Sequence, residues 1–96
     1  MVLESTIQTN IKKWINSLPG GRCVVYTAHA KGNRGHADLY GCIRGQAFFI
    51  EVKQEGKEPT ALQAAELRKW AKAGALCGSA TSVDEAKAIL RPLLSK

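Results

Sequence analysis

The segment ADLYGCIRGQAFFIEVK, residues 37–53, decides the predicted fold. Residues 47–53 are rich in β-branched and aromatic side chains, residues 37–44 contain Leu39, Tyr40 and Ile43, and a short turn at 45–46 separates the two segments. This pattern predicts a β-hairpin, that is, two antiparallel strands joined by a tight turn. The segments on either side of the hairpin predict the elements that extend the sheet and cover it.

The predicted order of elements is α-β-β-β-α-β-α, which makes an α/β fold with a mixed central sheet flanked by helices. Apolar residues at three- and four-residue steps predict the first helix, and capping residues such as Thr60 and Ser82 mark the starts of the later ones. In chain order, the predicted elements are a helix over 3–17, strands over 22–30, 37–44 and 47–53, a helix over 61–74, a buried strand over 75–80 and a helix over 82–94. The 96 residues are expected to form a single domain, residues 1–96.

The charge balance favours a polyanionic partner. Fourteen Lys and Arg residues against eight Asp and Glu give a formal charge of +6, which suits nucleic acid through phosphate contacts and counterion release. Three cysteines without a C-x-x-C spacing favour free thiols over disulfides or a zinc site. There is no apolar run for a membrane span and no signal-peptide pattern, so we expect a cytoplasmic protein, in a bacterium or a phage-infected host cell, with no membrane partner.

Two carboxylates and a lysine are expected to meet at one end of the hairpin. A turn at 45–46 pairs residues whose numbers sum to about 91, which places Asp38 opposite Lys53 and one diagonal from Glu51. All three side chains then share one face of the sheet. Two neighbouring carboxylates repel each other unless a cation lies between them.

A hard divalent cation fits these residue types. Mg²⁺ commonly binds through one or two carboxylates, polarises a phosphodiester and lowers the pKa of a bound water, while Lys53 could neutralise charge on the phosphate. The alternative is that these charged residues at the strand end form a solvated cross-strand salt bridge without catalytic function.

Three blocks of sequence resemble the VRR-NUC family, the virus-type replication-repair nucleases of the PD-(D/E)xK superfamily. The blocks are GNRGHADLYG (32–41), FFIEVKQ (48–54) and GKEPTALQ (56–63). They are similar to the family pattern G-x-R-G-x-P-D-L, a hydrophobic strand ending in E-V-K, and a threonine-led helix with a glutamine near its start. Ala37 stands where family members usually carry proline. The resemblance spans nearly the whole chain and implies a restriction-endonuclease-like core.

The resemblance also implies an activity and a set of site residues. It implies a nuclease that depends on Mg²⁺ or Mn²⁺ and hydrolyses DNA phosphodiester bonds, an endodeoxyribonuclease by expectation. Asp38 and Glu51 would be the metal ligands, with the carbonyl of Val52 as an additional one, and Lys53 would be the catalytic lysine. Glu4 would be a third carboxylate at the edge of the site; alternatively, it is an acid favoured by the dipole of the first helix.

Further candidates surround this core of the site. Gln63 lies in line with Leu67 on the predicted helix, so it could hold a water or a phosphate as a catalytic residue; the alternative is a capping glutamine. Candidate nucleic-acid contacts are Lys31, Arg34, His36 and Lys57. For the glycine-rich loop before Asp38, the alternative is a solvated turn.

Two other function classes remain open from the residues alone. A double-stranded RNA-binding domain is also small, basic and α-β-β-β-α, but it would leave the carboxylates unexplained. A degenerate nuclease fold could bind branched DNA without cutting it. We expect a homodimer that cuts branched DNA such as a four-way junction in replication or repair, with a possible helicase or replication partner.

Overall fold

A computed structural model gives the fold of residues 2–26 and 36–94. Its elements in chain order are α1 (Glu4–Asn16), β1 (Gly21–Val25), β2 (Leu39–Ile43), β3 (Gln46–Val52), α2 (Ala61–Lys72), β4 (Leu76–Ala80) and α3 (Val83–Leu94). The predicted order and the α/β class are confirmed. No helix within the described ranges is both long enough and apolar enough to cross a membrane.

The four strands form one mixed sheet in the order β1-β2-β3-β4. The first three strands are antiparallel neighbours, whereas β4 pairs parallel with β3. A parallel pair needs a crossover connection, and α2 supplies it. The prediction of a buried fourth strand was wrong: β4 is the edge of the sheet, and Ala80 alone among its five residues is fully buried.

The hairpin turn lies one residue earlier than predicted. Ile43 pairs with Gln46, so the two turn residues are Arg44 and Gly45. Both have positive φ angles, 46° and 90°, as a two-residue hairpin turn of the I′ type requires. Glycine adopts this conformation readily, but arginine seldom does, which is why the residue types pointed to the wrong position.

This shift changes how the carboxylates face each other. Each residue of β2 pairs with a partner two positions earlier in β3 than predicted, as Leu39 does with Ile50. Continuing the register by one residue places Asp38 opposite Glu51 instead of Lys53. Since a shift of two keeps every side chain on its predicted face, the three residues still share one side of the sheet.

One face of the sheet carries the hydrophobic core. The alternation predicted for β3 is observed, because Phe48, Ile50 and Val52 are all fully buried. Helices α1 and α3 cover this face; their buried residues are Ile7, Ile11, Ile15, Ala86, Leu90 and Leu93. A core on this side alone leaves the other face available for polar and aromatic groups.

Helix α2 lies on the opposite face. Trp70 of α2 stacks on Phe49 of β3, with ring centroids 4.2 Å apart. Leu67 is the one buried residue of this helix. The face covered by α2 is the one that presents Glu51 and Lys53, so the position of α2 defines one wall of the candidate site.

The first strand is shorter than predicted within the part that the structure describes. It ends at Val25, although the backbone N–H of Tyr26 still donates to the carbonyl of Asp38 at 2.8 Å. Residues 27–30, the rest of the predicted strand 22–30, lie outside the described residues. The contact to Asp38 places the end of β1 beside the start of β2.

Candidate active site

Asp38 is held where the chain enters β2. It follows the buried Ala37, and its Oδ2 accepts a hydrogen bond from the backbone N–H of Val52 at 2.8 Å. This bond crosses from the start of one hairpin strand to the end of the other. The side chain of Asp38 is therefore fixed next to the last residues of β3.

Glu51 is the only charged residue that is fully buried among the described residues. It is 2% exposed, and its Oε2 lies 3.5 Å from the Nζ of Lys53. Its other oxygen, Oε1, is buried and has no hydrogen-bond partner among the residues that the structure describes. A buried carboxylate oxygen without a partner is costly, so a native structure that retains one needs a reason for it.

Both carboxyl groups have a raised pKa, and burial is the main cause in each case. The pKa of Glu51 is raised from 4.5 to about 7. Burial is the main cause, the neighbouring charge of Asp38 acts in the same direction, and Lys53 opposes the shift. Burial also raises the pKa of Asp38, although the Val52 N–H opposes the shift. Because like charges this close do not both ionise readily, the pair favours one shared proton, held on Glu51.

Lys53 is positioned by the sheet rather than by its side chain alone. Its backbone N–H donates to the carbonyl of Ala80 at 3.0 Å, which anchors the residue to the end of β4. Its side chain is 15% exposed. An ammonium group so placed is largely shielded from water, yet it can reach a negatively charged group at the surface.

Glu4 lies near the pair but not within a cluster of ligands. It begins α1, is half-buried, and its charge helps to raise the pKa of Asp38. Across residues 2–26 and 36–94, no three His, Cys, Asp or Glu side chains are placed to hold one metal ion together. The described structure therefore brings Asp38 and Glu51 together, while Glu4 acts on Asp38 through its charge.

Gln63 forms the capping box of α2. Its side-chain Oε1 accepts a hydrogen bond from the backbone N–H of Thr60 at 2.9 Å. The backbone N–H of Gln63 in turn donates to the Thr60 hydroxyl at 3.1 Å. This arrangement is the alternative that the sequence left open. The catalytic role of Gln63 stays a prediction.

The remaining candidates fall in three places. Val52 lies between the two charged residues, with its side chain in the core and its N–H on Asp38. His36 stacks on Tyr26 and its Nδ1 lies 3.0 Å from the carbonyl of Ala37. The exposed Lys57 belongs to the loop after β3, while Lys31 and Arg34 lie outside the described residues.

The donor set fits a hard divalent cation. A pair of carboxylates is what Mg²⁺ or Mn²⁺ commonly takes from a protein, with water completing the shell. A cation between the two carboxyl groups would give the Glu51 Oε1 a partner. It would also lower the pKa of Glu51 and of Asp38, which are raised in its absence. The residues present therefore fit the metal that the sequence predicted.

The backbone donor of Val52 was missed by the sequence reasoning. The correct hairpin register would have predicted it, because an Asp38 opposite Glu51 lies within reach of the backbone N–H of Val52, the next residue along β3. The wrong turn position hid this relationship.

Two solved structures share the fold of this chain. One, described as a "VRR_NUC domain protein", has a TM-score of 0.77 and 20% sequence identity, and the match covers 99% of this chain and 90% of that one. Another, described as "VRR_NUC domain", has a TM-score of 0.72 and 26% identity over 92% of this chain and 94% of that one. No protein-family model matches the sequence, and no curated protein matches it. The resemblance to VRR-NUC domains is thus confirmed in the fold.

Proposed function

We propose that this chain, which has the fold of VRR-NUC nuclease domains, is a metal-dependent endodeoxyribonuclease of the PD-(D/E)xK type. The observation that carries the proposal is the pair formed by the buried Glu51 and the half-buried Asp38. One oxygen of Glu51 has no partner among the described residues, and Lys53 lies 3.5 Å from the other. A purely structural salt bridge between Glu51 and Lys53 would not require a second carboxylate beside it, because the charge of Asp38 makes a charged Glu51 more costly to bury.

Asp38, Glu51 and the carbonyl of Val52 are the proposed metal ligands, and Glu4 adds negative charge nearby. When bound, Mg²⁺ or Mn²⁺ would supply Lewis-acid activation of the phosphodiester and of the attacking water. Before a cation binds, Glu51 must give up the proton that its raised pKa retains. The hydrogen bond from Val52 keeps Asp38 in place during this change.

Lys53 is the proposed catalytic lysine. Its Nζ lies 3.5 Å from Glu51, so it would lie near a phosphate oxygen of a substrate bound at the two carboxylates. A compact ammonium group stabilises the charge that develops on the phosphorus centre. The anchoring of Lys53 on Ala80 limits how far the ammonium can move.

The substrate is proposed to be DNA. The formal charge of +6 favours a polyanion, and the proposed contacts are Lys31, Arg34, His36 and Lys57. Since 96 residues cover few base pairs, we further propose a homodimer that acts on branched DNA such as a four-way junction, with a helicase or replication protein as a possible partner.

A cleavage assay tests the proposal. Labelled linear, flap and four-way-junction DNA would be incubated with Mg²⁺, with Mn²⁺ or with a chelator. The wild type and the exposed control Lys12→Met should cut DNA when Mg²⁺ or Mn²⁺ is present and not in the chelator. Lys53→Met should not cut under any of these conditions. Binding without cutting in every metal would instead favour a non-catalytic DNA-binding domain.

A further inference from the structure

Five ring side chains form a continuous row on the α2 face of the sheet. We define the aromatic row as Tyr26, His36, Tyr40, Phe49 and Trp70. Successive members lie within stacking or edge contact of one another: Tyr26–His36 at 3.6 Å, His36–Tyr40 at 6.3 Å, Tyr40–Phe49 at 6.3 Å and Phe49–Trp70 at 4.2 Å between centroids. The row crosses from the end of β1 to helix α2.

The aromatic row lies beside the candidate catalytic carboxylates. Tyr40 follows Asp38 by two residues and Phe49 precedes Glu51 by two, so all four side chains share one face. Tyr40 and Phe49 are also direct partners in the β2–β3 register. A ligand that covers these rings therefore lies two residues along each strand, about 7 Å, from the carboxylates.

Part of the row is open to solvent. Tyr40 and Trp70 are each 38% exposed, since α2 covers only the side of the sheet formed by β3 and β4. Large aromatic side chains left exposed in a contiguous group mark an interaction surface more often than isolated exposed residues do.

Charge on this face suits a nucleic acid. Arg22 is exposed on β1, and because its neighbour Cys23 faces the core, Arg22 lies on the same face as Tyr40. Lys53 provides a second cation beyond Glu51. A groove with cations and exposed aromatic rings is the combination that binds single-stranded nucleic acid.

We propose that the aromatic row stacks on unpaired nucleobases, so that the protein takes DNA with unpaired nucleotides next to the carboxylates. The inference rests on the proposed function for its choice of DNA as the ligand. Paired bases in a duplex stack on each other and hide their faces, whereas unpaired bases expose them to an aromatic ring.

Binding without metal tests the proposal apart from cleavage. A short fluorescent oligothymidylate, the same strand with abasic sites and a blunt duplex would be titrated in a chelator at fixed salt. Oligothymidylate should bind more tightly than the abasic strand, which keeps the phosphates and loses the bases. Equal binding of these two strands would overturn the proposal even if the protein cuts DNA.

Substitutions then assign the binding to the row. Tyr40→Ala and Trp70→Ala should each weaken oligothymidylate binding about tenfold, while Tyr40→Phe should keep it. Leu94→Ala is the matched control, because Leu94 has the same exposure of 38% but lies on α3. Thermal unfolding checks each fold, and Trp70→Leu, which keeps apolar bulk but has no ring to stack on a base, replaces Trp70→Ala if that variant does not fold.

The same variants test whether a second copy of the chain, and not DNA, covers the aromatic row. If the row were a dimer interface, Tyr40→Ala would lower the oligomer mass in sedimentation without changing the preference for bases over abasic sites, and the proposal would be wrong. An unchanged mass together with weaker binding of oligothymidylate supports base stacking.

Discussion

The Asp38 carboxylate accepts a hydrogen bond from the backbone N–H of Val52, 2.8 Å away, across the two ends of the central hairpin. This bond holds Asp38 beside Glu51. Glu51 is the one charged side chain that is fully buried among the described residues, so its burial is costly. Because the donor is a peptide group of β3 itself, the position of Asp38 depends on the hairpin register.

The stability of the metal-free protein should fall as the pH rises from about 5 to about 8. The folded-state pKa of Glu51 is raised from 4.5 to about 7, so the folded state binds more protons than the unfolded state between these values. The contribution of Glu51 to the free energy of unfolding is fully present below its unfolded-state pKa. It is lost as the pH rises through the folded-state pKa, which lowers the free energy of unfolding by an amount on the order of 1–3 kcal/mol. Urea unfolding at several pH values measures this.

Glu51→Gln should largely remove that pH dependence, and the exposed control Glu58→Gln should keep it. Asp38, whose pKa is raised in the same direction, accounts for what remains. A wild type that becomes more stable over this pH interval would contradict the assignment.

Divalent cations should stabilise the folded protein through the two carboxylates. At a free Mn²⁺ concentration of about 100 times Kd, the free energy of unfolding rises by about 2.7 kcal/mol. Asp38→Asn should lose this increase, since one ligand and its charge are gone. Asp84→Asn, an exposed acid in the first turn of α3, is the control; an equal increase in both variants would place the cation elsewhere.

The close packing of β2 against β1 and against Phe48 should make Gly41 irreplaceable. A Cβ at this position would overlap the carbonyl oxygen of Arg22 and approach Phe48 Cζ to 2.8 Å, so Gly41→Ala should cost about 1–3 kcal/mol or more. Gly45→Asn is the matched control, because Gly45 has open space around it and asparagine tolerates positive φ. Urea unfolding of the two variants compares them, and equal stability would argue against the observed pairing.

Gln63 can be tested against its capping partner. Thr60→Ala and Gln63→Ala each remove half of the capping box and should destabilise the protein by about 1 kcal/mol. A catalytic Gln63 predicts that Gln63→Ala cuts DNA more slowly than Thr60→Ala does. Equal cleavage rates at equal stability would assign Gln63 to the helix cap alone.

Much of the fold could be predicted because burial imposes a period on the sequence. The steps of Ile7, Ile11 and Ile15 and the alternation in β3 reflect the same one-sided core. The turn was misplaced because Arg44 adopts a left-handed conformation that its residue type disfavours. Local preference was overridden there by the pairing of the two strands.

For the candidate site, the clustering of its three charged residues could be predicted, but their contacts could not. Asp38, Glu51 and Lys53 follow from the alternation of faces, which survives a register shift of two. The bond from Val52 to Asp38 depends on the register itself, and the aromatic row depends on which face α2 covers. Neither can be derived from the order of elements, because both require the positions of segments distant in sequence.

Single-turnover cleavage by Glu51→Gln beside Glu58→Gln tests the central claim most directly. Both changes remove one negative charge, but only Glu51 is buried against Asp38 and Lys53. We expect Glu58→Gln to cut DNA in Mn²⁺ at the rate of the wild type, and Glu51→Gln to lose cleavage while it remains folded and binds DNA. A folded Glu51→Gln variant that still cuts at the wild-type rate would contradict the account.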